Sequence, residues 1–572
     1  MDKKTIIMLV PLVLVIIFYW QILEFLGFVK PKPAAPMKVG TESTQVVVDT
    51  AKPPVAATTP ATAPVTLDTA TSAPAVALDT IRPETLTVRT KAYTVVMSSK
   101  GGGPVSLKLN GYTLRDGTPI EMLPGKDPAV TPEVTFAGGT VSSSTLPYRC
   151  NLPPGTYDAT SRQLEIAYTY TSPTGGTLMR HFTFHPDSNH YELVIEVSNR
   201  EKLGLERQYS LNWNSPLGVT EPNPRTDYEA MEAVAMMAGS REHFTDFKDN
   251  KLNESKTGTT IWAGVRSKYF AAVLIPRSRV SDGATATGTE RSRDNVEFGK
   301  YVEKEVTIGL ELPIGPEPQF ADSFTVYVGP LDYMGMRDYG VDLHDLLGIG
   351  TMPYVGWLIK PFAIGMIWLL PRIHSVIPNY GWVIIIFAML VKLITLPLSL
   401  KSMRSMNATK ELQPKIEELK KRLKNRPQDL NAETMRLYKE HGVNPLSGCL
   451  PMLMQMPLFF ALFPVFNSTI LFRNAPFMFF ITDLSQGAVG VTDPHLILVV
   501  LMVIFQFISQ KLSMAGNQQN KMMMYILPLV FAFFFWRLPS GIVLYWTMFS
   551  LLSIGDYFMF RRRQKNLEVK TI

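Results

Sequence analysis

Residues 380–400 read YGWVIIIFAMLVKLITLPLSL, apolar or aromatic over nearly the whole length, with one lysine, Lys392, near the middle. About 20 predominantly apolar residues are what a helix needs to cross the hydrocarbon core of a bilayer. The stretch therefore predicts a membrane-spanning helix, and the class of fold turns on it. A lysine at that depth is unfavourable by roughly 2.5–3.5 kcal/mol on insertion scales. Charges inside spans pair with one another or face a wet cavity, so Lys392 is the first candidate functional residue.

Outward from this stretch the chain divides into two unlike halves. From Thr85 to Tyr339 it is polar and rich in Gly, Thr and Ser, whereas from Val355 to Phe560 apolar and aromatic residues dominate. The whole is 46% hydrophobic and 18% charged, an apolar and charge-poor balance for a soluble chain of 572 residues. Further spans are predicted at Pro445–Ile470, His495–Leu512, Met522–Trp536 and Gly541–Phe560. The third of these four is short at roughly 15 residues, below the usual minimum of about 17, and implies a locally thin membrane. Residues 1–28, MDKKTIIMLVPLVLVIIFYWQILEFLGF, carry an apolar core longer than that of a cleaved signal. They read as an uncleaved signal anchor, which makes six transmembrane helices and puts both termini on one side.

The loop charges give the direction. KSMRSMNATKELQPKIEELKKRLKNRPQDLNAETMRLYKEHG follows the Lys392 span, Lys511 and Lys521 bracket a later turn, and Arg561–Arg563 follow the last span. The opposite loops, such as ITDLSQGAVGVTDPH, carry almost no Lys or Arg. Basic loops stay in the cytoplasm. Both termini are thus expected there, with the polar half outside the inner membrane, in the periplasm of a Gram-negative cell. The net charge of +7 is a topology signal of this kind, and no nucleic-acid partner is implied. The stretch VGWLIKPFAIGMIWLLPRIHSVIP, interrupted by Pro361 and Pro371, reads as an amphipathic helix on the outer surface. A seventh span there would invert every later loop against the charge rule.

The expected fold class is a multi-span α-helical membrane protein with a large periplasmic antiparallel β-sandwich and a cytoplasmic helical hairpin. Its parts are the anchor at 1–28, a Pro/Ala/Thr-rich tether at 29–84, the β-sandwich at 85–345 and the surface helix at 353–378. The second transmembrane helix follows at 379–402, the hairpin at 403–443, transmembrane helices three to six at 444–560, and a short basic tail at 561–572. The sandwich rests on alternating segments such as LEIAYTYTS, YELVIEVSN and FTVYVGP between turn residues. The hairpin rests on Leu412, Ile416, Leu419 and Leu423 at helical spacing.

Few residues of the polar half suggest chemistry. HFTFHPDSNH, 181–190, puts His181 and His185 on one strand face and His190 beyond a turn. With no further His or Cys cluster to complete a metal set, the three read as ordinary sheet residues. Cys150 and Cys449 fall in different halves and do not suggest a disulfide. No nucleotide loop or hydrolase motif is present, and no cofactor, metal or catalytic residue is expected.

Within the spans, Gln455, Gln506, Ser509, Tyr545 and Thr547 join Lys392 as polar groups able to line a wet groove. Asp556 lies at a comparable depth in the last span and is the candidate ion-pair partner.

At these residues the chain resembles the YidC/Oxa/Alb family of membrane protein insertases, in its Gram-negative subgroup with a large periplasmic domain. The resemblance is carried by NPLSGCLPMLMQMPLFFAL (444–462), WRLPSGIVLYW (536–546), WAGVRSKYFAAVLIP (262–276), IHSVIPNYGW (373–382) and the Lys392 span with its basic hairpin. It implies a nonenzymatic insertase and chaperone of the bacterial inner membrane, acting alone or with the Sec translocon. Lys392 matches the family's positively charged groove residue, more often an arginine. Leu453, Met456, Phe459, Tyr545 and Trp546 match positions that contact the client helix. Nascent membrane proteins and membrane lipids are the implied partners, with the ribosome reached through the hairpin and tail. Apart from that contact no nucleic acid is implied. The alternative is a secondary transporter or channel using Lys392 for anion binding or proton relay, which two similar bundle halves would favour.

Overall fold

In the computed structural model the described residues are 83–570, except 125–131, 137–141, 204, 206–207, 297–298, 351–355, 425, 443–449, 479, 489, 491 and 515–520. The expected anchor and nearly all of the tether lie outside them, as does Cys449.

The polar half is a β-sandwich. A small sheet orders Pro119–Glu121, Gly103–Thr113, Tyr93–Ser98, Thr85–Arg89 and Thr156–Asp158. A larger one begins Glu133–Phe136, Gln208–Trp213, Gly299–Pro313, Ser281–Asn295 and Lys251–Arg266. It continues through Phe270–Pro276, Gln319–Pro330, His190–Ser198, Thr177–Phe184, Leu164–Thr171 and Arg149–Cys150. Strict alternation fixes the inner face: in Thr177–Phe184 residues Leu178, Arg180, Phe182 and Phe184 are buried and their neighbours are not. Val88, Val95, Phe182, Tyr191 and Trp213 share one apolar core between the sheets. One pairing departs from the antiparallel expectation, since Thr85–Arg89 and Thr156–Asp158 run parallel. Two short helices decorate the domain, α1 (Pro224–Ala230) and α2 (Tyr333–Arg337).

The apolar half is helical: α3 (Gly356–Val376), α4 (Tyr380–Glu411), α5 (Gln413–Arg422), α6 (Pro427–Glu440), α7 (Leu450–Ser468), α8 (Leu496–Met514), α9 (Lys521–Phe535) and α10 (Ser540–Lys570). Among the described residues, Gly356–Val376, Tyr380–Glu411 and Ser540–Arg562 are long and apolar enough to cross a membrane, and Leu496–Leu512 is a shorter apolar helix. The first of these is the stretch expected on the surface; length and composition alone also suit it to a span.

Asn379 caps α4, its side-chain oxygen accepting from the backbone N–H groups of Gly381 and Trp382 at 3.0 and 3.3 Å. The helix runs through Pro397 and past the expected boundary at 402, ending only at Glu411. Pro414 forces that break: its ring cannot follow a helical turn, but it is tolerated in the first turn of α5. Of the hairpin's periodic residues, Leu412 and Ile416 are buried and Leu419 and Leu423 are half-buried.

Two glycines allow the bundle to close. A Cβ at Gly381 would stand 2.0 Å from the Phe477 ring, and one at Gly541 would stand 2.6 Å from Phe466. The segment 469–488 thereby closes one end of the bundle, with Gly541 N–H donating to Leu484 O at 2.8 Å. The β-sandwich docks on the same segment. Arg473 pairs with Glu221 at 2.6 Å, and Gln486 Nε2 donates to Glu221 Oε2 at 2.7 Å. The α5–α6 hairpin follows the far end of α4.

Candidate functional site: a lysine held inside the helical bundle

Lys392 is buried between α4 and α10. Its Nζ lies 2.8 Å from Asp556 Oδ2, and the two side chains are 9% and 7% exposed. The same amine donates to Ser553 Oγ at 2.8 Å and stands 4.5 Å above the Phe549 ring. Ser553 and Phe549 escape sequence reasoning because neither residue type signals a site in an apolar helix. The signal that reaches them is spacing: three and seven positions before Asp556 fall on one helical face. The partner expected from depth alone, Asp556, is the one the fold brings to Lys392.

A second polar knot joins α8 to α10. Gln506 Oε1 accepts from Ser550 Oγ at 2.8 Å and from Trp546 Nε1 at 3.3 Å. Thr547 turns back on its own helix, its hydroxyl donating to Val543 O at 2.7 Å. Ser509 is half-buried on α8. Gln455 Nε2, Gln510 Oε1 and the Tyr545 hydroxyl are buried without a hydrogen-bond partner.

Of the residues matched to client contact, Trp546 and Tyr545 have different aromatic neighbours. Trp546 belongs to an aromatic cluster with Phe459, Phe531 and Phe535, at ring separations of 5.4, 5.7 and 5.5 Å. Tyr545 enters a different group, fully buried between Phe387 at 5.9 Å and Phe549 at 6.0 Å. Adjacent residues on a helix are about 100° apart, and here the two rings enter different aromatic groups. Met456 is half-buried, and Leu453 lies in α7 with its side chain outside the described residues.

In the β-sandwich His181 and His185 lie on the outer side of their strand with His190 across the turn, as the alternation predicts. His181 Nε2 faces Glu196 at 3.7 Å, whereas His185 and His190 meet Glu192. The third member of that group is a carboxylate two residues along the strand, which a search for His and Cys passes over. Burial, and then neighbouring His185, push the His190 imidazolium down to about 4, so the ring is neutral near pH 7.

Fold and site together define a membrane protein whose helical part encloses a charge pair and whose other half is a large β-sandwich. The family described as 60Kd inner membrane protein matches residues 372–567, and the one described as YidC periplasmic domain matches residues 85–364. The membrane protein insertase YidC of Syntrophus aciditrophicus is 30% identical, over 98% of this chain and 100% of its own. That of Chlorobaculum tepidum is 32% identical, over 81% and 79%. A solved active YidC insertase with its first transmembrane domain resolved is 19% identical, with a TM-score of 0.34 over 83% of this chain and 94% of its own. The chain belongs to the YidC family of membrane protein insertases, whose activity is nonenzymatic.

Proposed function

We propose that the chain inserts membrane proteins into the bacterial inner membrane and helps them fold, alone or beside the Sec translocon. Six spans, cytoplasmic termini, a cytoplasmic hairpin and a periplasmic β-sandwich make up the working topology. The arrangement of the bundle supports it. The β-sandwich, segment 469–488 and the start of α10 gather at one end, while α4 leads away from that end into the basic hairpin. This is the separation that the positive-inside rule requires.

The observation that carries the mechanism is the incomplete coordination of Lys392. An ammonium has three donors; Ser553 accepts one, Asp556 Oδ2 stands at ion-pair distance without hydrogen-bond geometry, and Phe549 offers only its ring face. A client's short extracytoplasmic tail resists hydrocarbon because of its charges and backbone. An acidic residue of that tail binds a remaining donor, or exchanges with Asp556, and so rests part-way across. The unpartnered polar atoms of Gln455, Gln510 and Tyr545 support a wet groove, since leaving each unhydrated costs about 1–3 kcal/mol. The client helix then leaves into lipid past the Met456, Phe459 and Trp546 side of the bundle. Methionine and aromatic side chains there suit varied clients. Ribosomes deliver clients to the hairpin.

The 2.8 Å ion pair also favours a second reading, in which Lys392 and Asp556 only staple α4 to α10. The test is insertion of a small client with an acidic outer tail in cells depleted of their own insertase. Under the groove mechanism Lys392→Ala inserts poorly and the exchange Lys392→Asp with Asp556→Lys does not restore it. Normal insertion by Lys392→Ala sinks the mechanism, and rescue by the exchange assigns the pair to the staple.

A further inference from the structure

We propose that His185, His190 and Glu192 bind a divalent transition-metal ion of the zinc type on the outer face of the β-sandwich. One ligand atom from each residue lies within 4.8 Å of the others. Tetrahedral zinc with bonds of about 2.0–2.1 Å needs ligand separations of ~3.4 Å, so modest side-chain rotation closes the set.

The strands place these residues rigidly. His185 follows strand Thr177–Phe184 and His190 opens strand His190–Ser198, so the two flank one tight hairpin. Glu192 is two positions from His190 and therefore shares its face. On the opposite face Phe184 and Tyr191 pair in register and are buried, which fixes the hairpin beneath the three ligands. His185 Nε2 is buried, has no hydrogen-bond partner, and stands 3.5 Å from Glu192 Oε1. An imidazole nitrogen in that position gains most from a cation between it and the carboxylate.

The surroundings add what a metal site requires. His190 Nδ1 is 2.8 Å from the Tyr339 hydroxyl. Donation from Nδ1 leaves Nε2 as the lone-pair nitrogen and fixes the ring, the usual second contact of a metal-bound histidine. Beside the ligands opens a cleft of about 710 Å³ lined by His190, Glu192, Arg277, Tyr327, Asp338 and Tyr339. Two histidines and one glutamate leave a fourth position facing that cleft, open to water or to a ligand oxygen.

The full chain in detergent, stripped with chelator, is titrated with zinc against a chromogenic competitor. We expect one site, lost in His185→Ala and in Glu192→Gln and retained in His181→Ala, whose ring faces Glu196 instead. Tyr339→Phe should weaken binding by about tenfold. Cobalt on the wild-type protein gives a readout that needs no variant: visible bands of tetrahedral or five-coordinate intensity. Zinc binding too weak to compete, binding undiminished in His185→Ala with His190→Ala, or a pale octahedral cobalt spectrum each overturns the site.

Discussion

Lys392–Asp556 and Arg473–Glu221 are both short and both buried, yet their surroundings differ. At the junction Glu221 accepts from Arg473 and Gln486, and Arg473 also donates to Thr220 O at 2.9 Å. Lys268 reaches the same segment, its Nζ 3.5 Å from Ser485 O, while Asp227 holds the backbone of Thr220 and Glu221 at 2.6 and 2.9 Å. Glu221 and Arg473 bond across the junction, and Asp227 is held from within the β-sandwich. In the bundle, Lys392 has one hydroxyl and one aromatic face besides its counter-ion. A satisfied buried pair fixes a docking geometry; a sparsely coordinated one can exchange partners.

The largest effect should come from putting like charges into the bundle. Lys392→Glu sets a second carboxylate against Asp556, and we expect complementation of an insertase-depleted strain to fail outright. Growth at the wild-type rate would erase the functional difference between the two pairs. Next, Glu221→Leu leaves the Arg473 guanidinium buried without its counter-ion, a loss of about 3–5 kcal/mol. It should lower the thermal midpoint and expose segment 469–488 to protease. Removing residues 85–320 altogether returns Arg473 to water, so insertion should survive that deletion better than the point change. The reverse ranking would mean that the β-sandwich contributes more than a dock.

The third prediction separates holding from working within the bundle. Replacing Lys392 by Met together with Asp556 by Leu removes both charges and keeps the volume. Such exchanges are often neutral or stabilising, so the thermal midpoint should stay at or above that of the wild type. Insertion of an acidic-tailed client should nevertheless fall several-fold. Undiminished insertion would make the pair a staple like its counterpart at the junction.

The contrast between the pairs also explains what could be read from the sequence. Hydropathy placed both ends of α8 and α9 closely, because apolar length is a local property, but only the starts of α4 and α10, which run well past the apolar stretch into charged sequence. Asp556 was legible as the partner of Lys392 because both depths count from the same membrane boundary. Glu221 and Arg473 are 252 positions apart in chain and domain, and nothing local links them. The different ring groups of Tyr545 and Trp546 follow from the roughly 100° between neighbours on a helix, yet matching by motif treats neighbours as one surface. Alternation announced the strands, but the parallel pairing of Thr85–Arg89 with Thr156–Asp158 depends on chain reversals between them that leave no periodic trace. His185, His190 and Glu192 needed the hairpin register before their spacing meant anything.

The smallest expected effect sharpens the comparison through pH. Burial, and then Glu221, raise the Asp227 carboxyl above its usual range, against the backbone N–H groups that lower it. The folded state therefore binds this proton more tightly than the unfolded chain, so stability falls as pH rises through the folded-state value. Acidification from neutrality should make wild type more stable relative to Asp227→Asn, and the gain should stop near pH 3.9, where the unfolded carboxyl is also protonated. Lys268 acts in the same sense at the alkaline end. Burial alone would lower it, but Tyr269, Glu221 and Asp227 hold it above its ordinary value. Its contribution is full below about pH 10.4 and is lost as pH rises through the folded-state value. Thermal midpoints of wild type and Asp227→Asn, taken in steps from pH 7 to pH 4, check the acid limb. A constant difference between them would mean that Asp227 is ionised throughout, adding its charge to those of Glu221 and Lys268 beside it, where the bundle holds a single carboxylate against Lys392.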